Sequence, residues 1–119
     1  MGIEAYQQQG AVSNDPYMLV LKLYEGTLKY LSFVKHAMET GDIELKFTNI
    51  NKAVAIFDEL RNVLDFDNGG DVSYYLDGLY LYQIETLFTA GIDDNITAVE
   101  QVMKVVQGLI DAWKEETGL

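Results

Sequence analysis

The chain of 119 residues contains no cysteine. That excludes a disulfide frame, a thiolate metal site and a cysteine nucleophile. Histidine occurs once, at His36, and arginine once, at Arg61. A di-iron bundle site needs Glu-x-x-His on two helices, and Phe33 stands three residues before His36. A hydrolase triad would have to use the same histidine. A helical enzyme acting on anionic metabolites would want several arginines. Gly69-Gly70 is not followed by Lys-Ser or Lys-Thr, so it is no phosphate loop. Catalytic, cofactor and metal residues are therefore not assigned.

Other absences bear on location and partners. No uncharged apolar run approaches the length of a membrane-spanning helix. Met1-Gly2-Ile3-Glu4 has no basic segment leading into an apolar run, so no secretion signal is expected. Tyr6 stands where a myristoylation pattern needs Ser or Thr. Lysine and arginine number 8 against 19 acidic residues, for a net charge of −11. That argues against nucleic acid or an anionic membrane as partner. The expectation is a cytoplasmic protein with no membrane insertion.

What the chain does have is apolar surface, at 49% of residues. Its densest stretch runs from Asp15 to Thr40. Asp15-Pro16 is a helix start, with Asp as cap and Pro in the first turn. Lys22, Glu25, Lys29, Ser32, His36 and Glu39 then recur every three or four residues, on one narrow polar stripe. The rest is nearly all apolar. Leu19, Leu23, Gly26, Tyr30, Phe33 and Ala37 form one row, and Val20, Tyr24, Leu28, Leu31, Val34 and Met38 a second. An ordinary surface helix buries a single face. This one asks to be covered from several directions, and the remaining chain is expected to supply the cover.

Three more helices follow. Gly41 and Asp42 suit a C-cap and the next N-cap. Ile43, Phe47, Ile50, Val54, Phe57, Leu60 or Arg61, and Leu64 mark the seam of the second helix. Asp67-Asn68-Gly69-Gly70 is expected to be the turn that ends it, with Asp71 capping the third. Val72, Leu76, Leu79 or Tyr80, Gln83 or Ile84, and Leu87 form the third helix's inner row, and Gly91 is expected to stop it. Asp93 or Asp94 should cap the fourth, whose seam runs from Ile96 through Val99, Val102 or Met103, Val106, and Leu109 or Ile110 to Trp113. Short connections force neighbours to run antiparallel. The fold expected is all-α: an up-down-up-down four-helix bundle over residues 15–119. Residues 1–14 show no sustained period and read as a mobile N-terminal arm.

Some apolar positions fall off these seams. Ile56 and Val63 lie seven apart on the second helix. Tyr74, Gly78, Leu81 and Phe88 follow one flank of the third, with Tyr75 and Tyr82 along another. Ala98, Val105 and Ala112 make a smooth side row on the fourth. Tyr24 and Tyr80 read as core, with their hydroxyls reaching a polar partner. Tyr74, Tyr75 and Tyr82 cannot all face one seam, so a binding surface stands beside core packing for them. Rows at helical spacing suggest grooves for an incoming amphipathic helix.

The chain also resembles a known family, the flagellar secretion chaperones. The resemblance is carried by Gly2-Ile3-Glu4-Ala5-Tyr6-Gln7-Gln8, then Asp15-Pro16 leading to Leu23-Tyr24-Glu25-Gly26. Gly41-Asp42-Ile43, Asn51-Lys52-Ala53, Ile56-Phe57-Asp58-Glu59-Leu60 and Leu64-Asp65 come next. Gly69-Gly70-Asp71-Val72, Tyr75-Leu76-Asp77, Leu79-Tyr80 and Ala112-Trp113-Lys114 complete it, in the family's order and spacing. One departure is Glu85-Thr86, where many relatives carry an Arg-Arg pair.

The resemblance implies a helical bundle with neither catalysis nor cofactor. It implies a chaperone that binds the disordered C-terminal segment of flagellin, which wraps the bundle and folds into its hydrophobic grooves. On this chain the groove residues would be Ile56, Val63, Tyr74, Leu81, Phe88, Val105 and Ala112. The resemblance also implies docking to the export gate protein through the arm, at Ile3 and Tyr6, and that the arm can lie over a groove when cargo is absent. It leaves room for a co-chaperone or regulator. The alternative from another class is a helical-bundle adaptor that uses the same grooves for a different amphipathic helix.

Overall fold

The computed structural model describes residues 2–6 and 15–119. A single 3-10 turn, Ile3–Tyr6, precedes four helices: α1 (Pro16–Thr40), α2 (Ile43–Asn62), α3 (Phe66–Asp93) and α4 (Ile96–Thr117). α1 packs on α2 and α4, and α3 closes the ring by packing on the same two helices. Short connections make consecutive helices antiparallel. The result is the expected up-down-up-down bundle, 44 Å along its long axis.

The caps explain where the helices begin. Asp15 accepts a hydrogen bond from the Tyr17 N–H at 2.9 Å, with Pro16 in the first turn. Gly41 ends α1 at φ 73°, a left-handed conformation that glycine adopts without penalty. Asp42 caps α2 by accepting from Leu45 N–H at 3.0 Å.

The next two boundaries differ from the sequence expectation. α2 stops at Asn62, not at the Asp67–Gly70 stretch. Asp65 is the cap of α3 and accepts from Asn68 N–H at 3.1 Å. Gly70, at φ 52°, ψ −130°, does break the helix where the sequence suggests, but a helical turn that starts at Phe66 already precedes it. The N-terminal turn accounts for this shift. Asp65 N–H donates to the Ala5 carbonyl at 2.7 Å, and a Cβ on Gly69 would fall 2.8 Å from Ala5 Cα. Gly69 is there for close approach, not for a chain reversal. Gly91 likewise does not stop α3. A Cβ there would sit 2.7 Å from Ile50 Cδ1, so it serves packing against α2. Asp94, at φ 52°, ends the helix, and Asn95 rather than an aspartate caps α4 through Ala98 N–H.

The core runs the length of the bundle. Tyr24, Leu31 and Val34 meet Ile50, Phe57 and Leu60, then Leu76, Tyr80 and Leu87, then Val99, Val106 and Trp113, all buried. On α1 the row that begins at Val20 is the buried one. The row that begins at Leu19 stays half open, with Leu19 52% and Phe33 44% exposed. The expectation that the chain would cover both rows is corrected: four helices in a ring give each helix two neighbours, which leaves one flank row at the edge.

The free-arm expectation is also corrected for residues 3–6. Ala5 and Tyr6 are buried as deeply as any core residue. The Tyr6 and Tyr80 hydroxyls are 2.7 Å apart, as are those of Tyr24 and Tyr80, and Tyr6 donates to the Leu60 carbonyl at 3.2 Å. The Tyr6 ring meets the Trp113 edge at 5.7 Å, and Trp113 Nε1 donates to the Tyr17 carbonyl. Ile3 N–H donates to Glu116 Oε1 at 3.1 Å. A tyrosine three residues after an isoleucine offers no periodicity to read, yet one well-placed aromatic ring suffices to anchor a short segment. The remainder of the expected arm, residues 7–14, lies outside the described residues.

Candidate functional site: three apolar seams

The residues expected to bind separate onto three flanks of the bundle. Ile56 belongs to the α1/α2 seam. A Cβ on Gly26 would lie 3.4 Å from Ile56 Cδ1, which sets the half-open α1 row beside it. Val63, the residue that caps α2, lies seven positions further on and is half-buried. Leu19, Leu23, Tyr30 and Phe33 complete this seam. Their row is visible in the sequence, but nothing there says which row the bundle leaves open.

Tyr74, Leu81 and Phe88 share the flank of α3 that turns toward α2. Two contacts fix that direction. Arg61 Nε on α2 is 2.9 Å from Asp77 Oδ1 on α3, and Gly91 packs against Phe47 and Ile50. Tyr74 is 67% exposed, Leu81 40% and Phe88 41%. Phe66, from the first turn of α3, leans on the Tyr74 ring at 4.8 Å between centroids. It extends this seam, and sequence reasoning missed it because it falls beside the stretch expected to be a turn.

Ala98, Val105 and Ala112 are half-buried on the flank of α4 that faces α3. At the Ala98 end the two helices part around an open hollow of about 380 Å³, lined by Tyr82, Glu85, Thr86, Thr89, Ala90, Asn95 and Ala98. Glu85 and Thr86 form part of that wall. Tyr75 and Tyr82 stand on the outer face of α3, two-thirds exposed.

The structure thus brings the expected groove residues to the surface without gathering them at one spot. Each seam is a long shallow track with apolar side chains along it. The chemistry of such tracks is burial, worth about 25 cal/mol per Å² of apolar surface removed from water. Among the described residues, no three carboxylate, imidazole or thiol groups cluster closely enough to hold a metal ion. None of the helices is long and apolar enough to cross a membrane among the described residues.

At the surface, the hydrogen bond to Asp77 raises the pKa of the Arg61 guanidinium further; the other titrations that shift are interior. Burial pushes the hydroxyls of Tyr6, Tyr24 and Tyr80 far above the usual phenol range, and the neighbouring hydroxyls add to it. These groups hold the core together and do not face a seam. Ile3 and Tyr6, expected together at the gate-docking arm, part company: Tyr6 is interior, while Ile3 is half-buried at the rim.

A family profile described as flagellar protein FliS matches residues 2–117. A flagellar secretion chaperone FliS of Campylobacter jejuni is 37% identical, with 97% of this chain and 90% of the relative aligned. The protein of the same description from Salmonella typhimurium is 31% identical over 96% of this chain and 88% of its own length. That of Bacillus subtilis is 32% identical over 93% of this chain and 82% of its own.

Proposed function

This chain belongs to the flagellar secretion chaperone family, and from that premise we propose that it is a cytoplasmic export chaperone for flagellin. Its cargo is the disordered C-terminal segment of flagellin. It holds that segment as amphipathic helices in the three seams, prevents premature polymerisation and assists delivery to the export gate.

One observation carries the reading. Three separate apolar tracks, marked by Ile56, by Leu81 and by Val105, run along the flanks of one small bundle. A single pocket would suit a compact ligand. Tracks on several flanks suit a long segment that wraps. A disordered tail that folds on binding meets an ordering cost of about 2–5 kcal/mol or more, offset by burial on the order of 1,000–3,000 Å².

Docking at the gate is assigned to Ile3 and Tyr6. Tyr6 cannot reach a partner while its hydroxyl is bonded to Tyr80 inside the bundle. Use of Tyr6 at the gate therefore requires the N-terminal turn to leave its seat.

Mixing the protein with a flagellin C-terminal peptide tests the reading. The expected result is a gain of helix by circular dichroism and a large negative heat capacity change by calorimetry. Binding without either signature would point to a preformed partner and favour the adaptor alternative.

A further inference from the structure

The α1/α2 seam differs from the other two in charge. Lys29 on α1 and Lys52 on α2 hold their ammonium groups 5.3 and 5.5 Å from the centroid of one ring, that of Tyr30. Lys22 lies seven residues before Lys29, two turns along the same flank of α1. All three lysines are exposed. The ion pairs among the described residues engage Lys35, Lys46 and Arg61 instead. By helical spacing Glu25 lies between Lys22 and Lys29 on α1, and Glu59 shares the α2 flank with Ile56, so three lysines face two carboxylates here.

The other seams have no such surplus of positive charge. Between α2 and α3, Asp58 and Asp77 both pair with Arg61, and Asp94 pairs with Lys46. The hollow between α3 and α4 has Glu85 in its wall and no basic residue among the described residues that line it. In a chain of net charge −11, the α1/α2 seam is thus a local reversal.

A helix seated there would cover Leu19, Leu23, Phe33 and Ile56. It would also take water from ammonium groups already lying against the Tyr30 ring. A cation losing water needs a counter-charge, and carboxylates at the edges of the incoming helix supply it. A helix with basic edges would meet three lysines of its own sign. We propose that the α1/α2 seam is a docking site for an acidic amphipathic helix, an apolar stripe flanked by carboxylates that meet Lys22, Lys29 and Lys52. This deepens the chaperone reading, on which it rests, by assigning the charge of the cargo helix held in this seam.

The test uses two synthetic helical peptides of about 18 residues, long enough to span the seam. Both carry the same apolar stripe, one flanked by Glu and the other by Lys. Fluorescence anisotropy against the full chain should show the Glu peptide binding about tenfold tighter at low salt. The difference should collapse in about 0.5 M salt, where screening shortens to roughly 4 Å. The double variant Lys29→Gln, Lys52→Gln should remove the preference, and Lys29→Glu, Lys52→Glu should invert it, with both melting like the parent. Tighter binding of the Lys peptide, as the net charge alone would give, would overturn the proposal. So would a preference untouched by either double variant, or no binding of either peptide. A flagellin C-terminal peptide is run in parallel. Binding of the Glu peptide without the flagellin peptide would sink the chaperone reading and leave the seam's chemistry standing. Binding of the flagellin peptide with no charge preference would do the reverse.

Discussion

Six of the eight tyrosines divide the molecule into two regions that use one residue type in opposite ways. Tyr6, Tyr24 and Tyr80 form a buried chain of hydroxyls against Trp113, at the end of the bundle where the N-terminal turn is seated. Tyr74, Tyr75 and Tyr82 stand two-thirds exposed along α3. Tyr75 and Tyr80 are five residues apart on one helix, so composition does not separate them; helical phase does. The inner group has every ring packed and every hydroxyl partnered, which makes it costly to disturb. The outer group holds apolar area in water, where it adds little to the fold and is available to a partner.

That contrast is broken most severely at Trp113. Trp113→Ala should cost about 3–5 kcal/mol by denaturant unfolding, through the cavity it leaves. Tyr75→Ala and Tyr82→Ala should stay within about 0.5 kcal/mol of the parent. Deleting residues 1–10 comes next. It empties the Tyr6 site and should cost about 3 kcal/mol or more, a cost that a free arm would not have. Gly69→Ala should destabilise by about 1–3 kcal/mol, because its Cβ meets the Ala5 backbone. Gly78→Ala, with open space around it on the outer face, should stabilise by up to about 1 kcal/mol.

Alkaline pH sharpens the same contrast. The buried tyrosines titrate above their unfolded value of 10.0, so the folded state keeps protons that the unfolded state has lost. Their contribution is fully present below that value and is lost as pH rises through it toward the folded values. Melting temperature should fall steeply above about pH 10, and Tyr24→Phe should make that fall shallower.

The element order, the α1 and α2 caps and the seams of all four helices are legible in the sequence because each helix is long and periodic. The boundary between α2 and α3 is not. A helical turn capped by Asp65 precedes the break at Gly70, and the Asp65 N–H is held by the Ala5 carbonyl, far away in sequence. The seat of Tyr6 is illegible for the same reason: a lone ring in an aperiodic segment gives no phase. At the candidate site, Ile56, Leu81 and Val105 are recognisable by their distance from the seams. The open α1 row is not, because the rows starting at Leu19 and Val20 are equally apolar and only the placement of α2 and α4 chooses between them. The lysines around Tyr30 give no signal in the sequence because they belong to two helices.

If the outer seams bind and the inner core folds, the two roles separate most directly in one measurement. It is the affinity of a flagellin C-terminal peptide for Ile56→Asp, Val63→Asp, Leu81→Asp and Val105→Asp, each first shown by circular dichroism to be folded. A carboxylate placed in a seam has to be desolvated when the cargo helix covers it, so each variant should bind about tenfold more weakly or worse, with the melting transition kept. Four folded variants that bind the peptide as tightly as the parent would contradict that division.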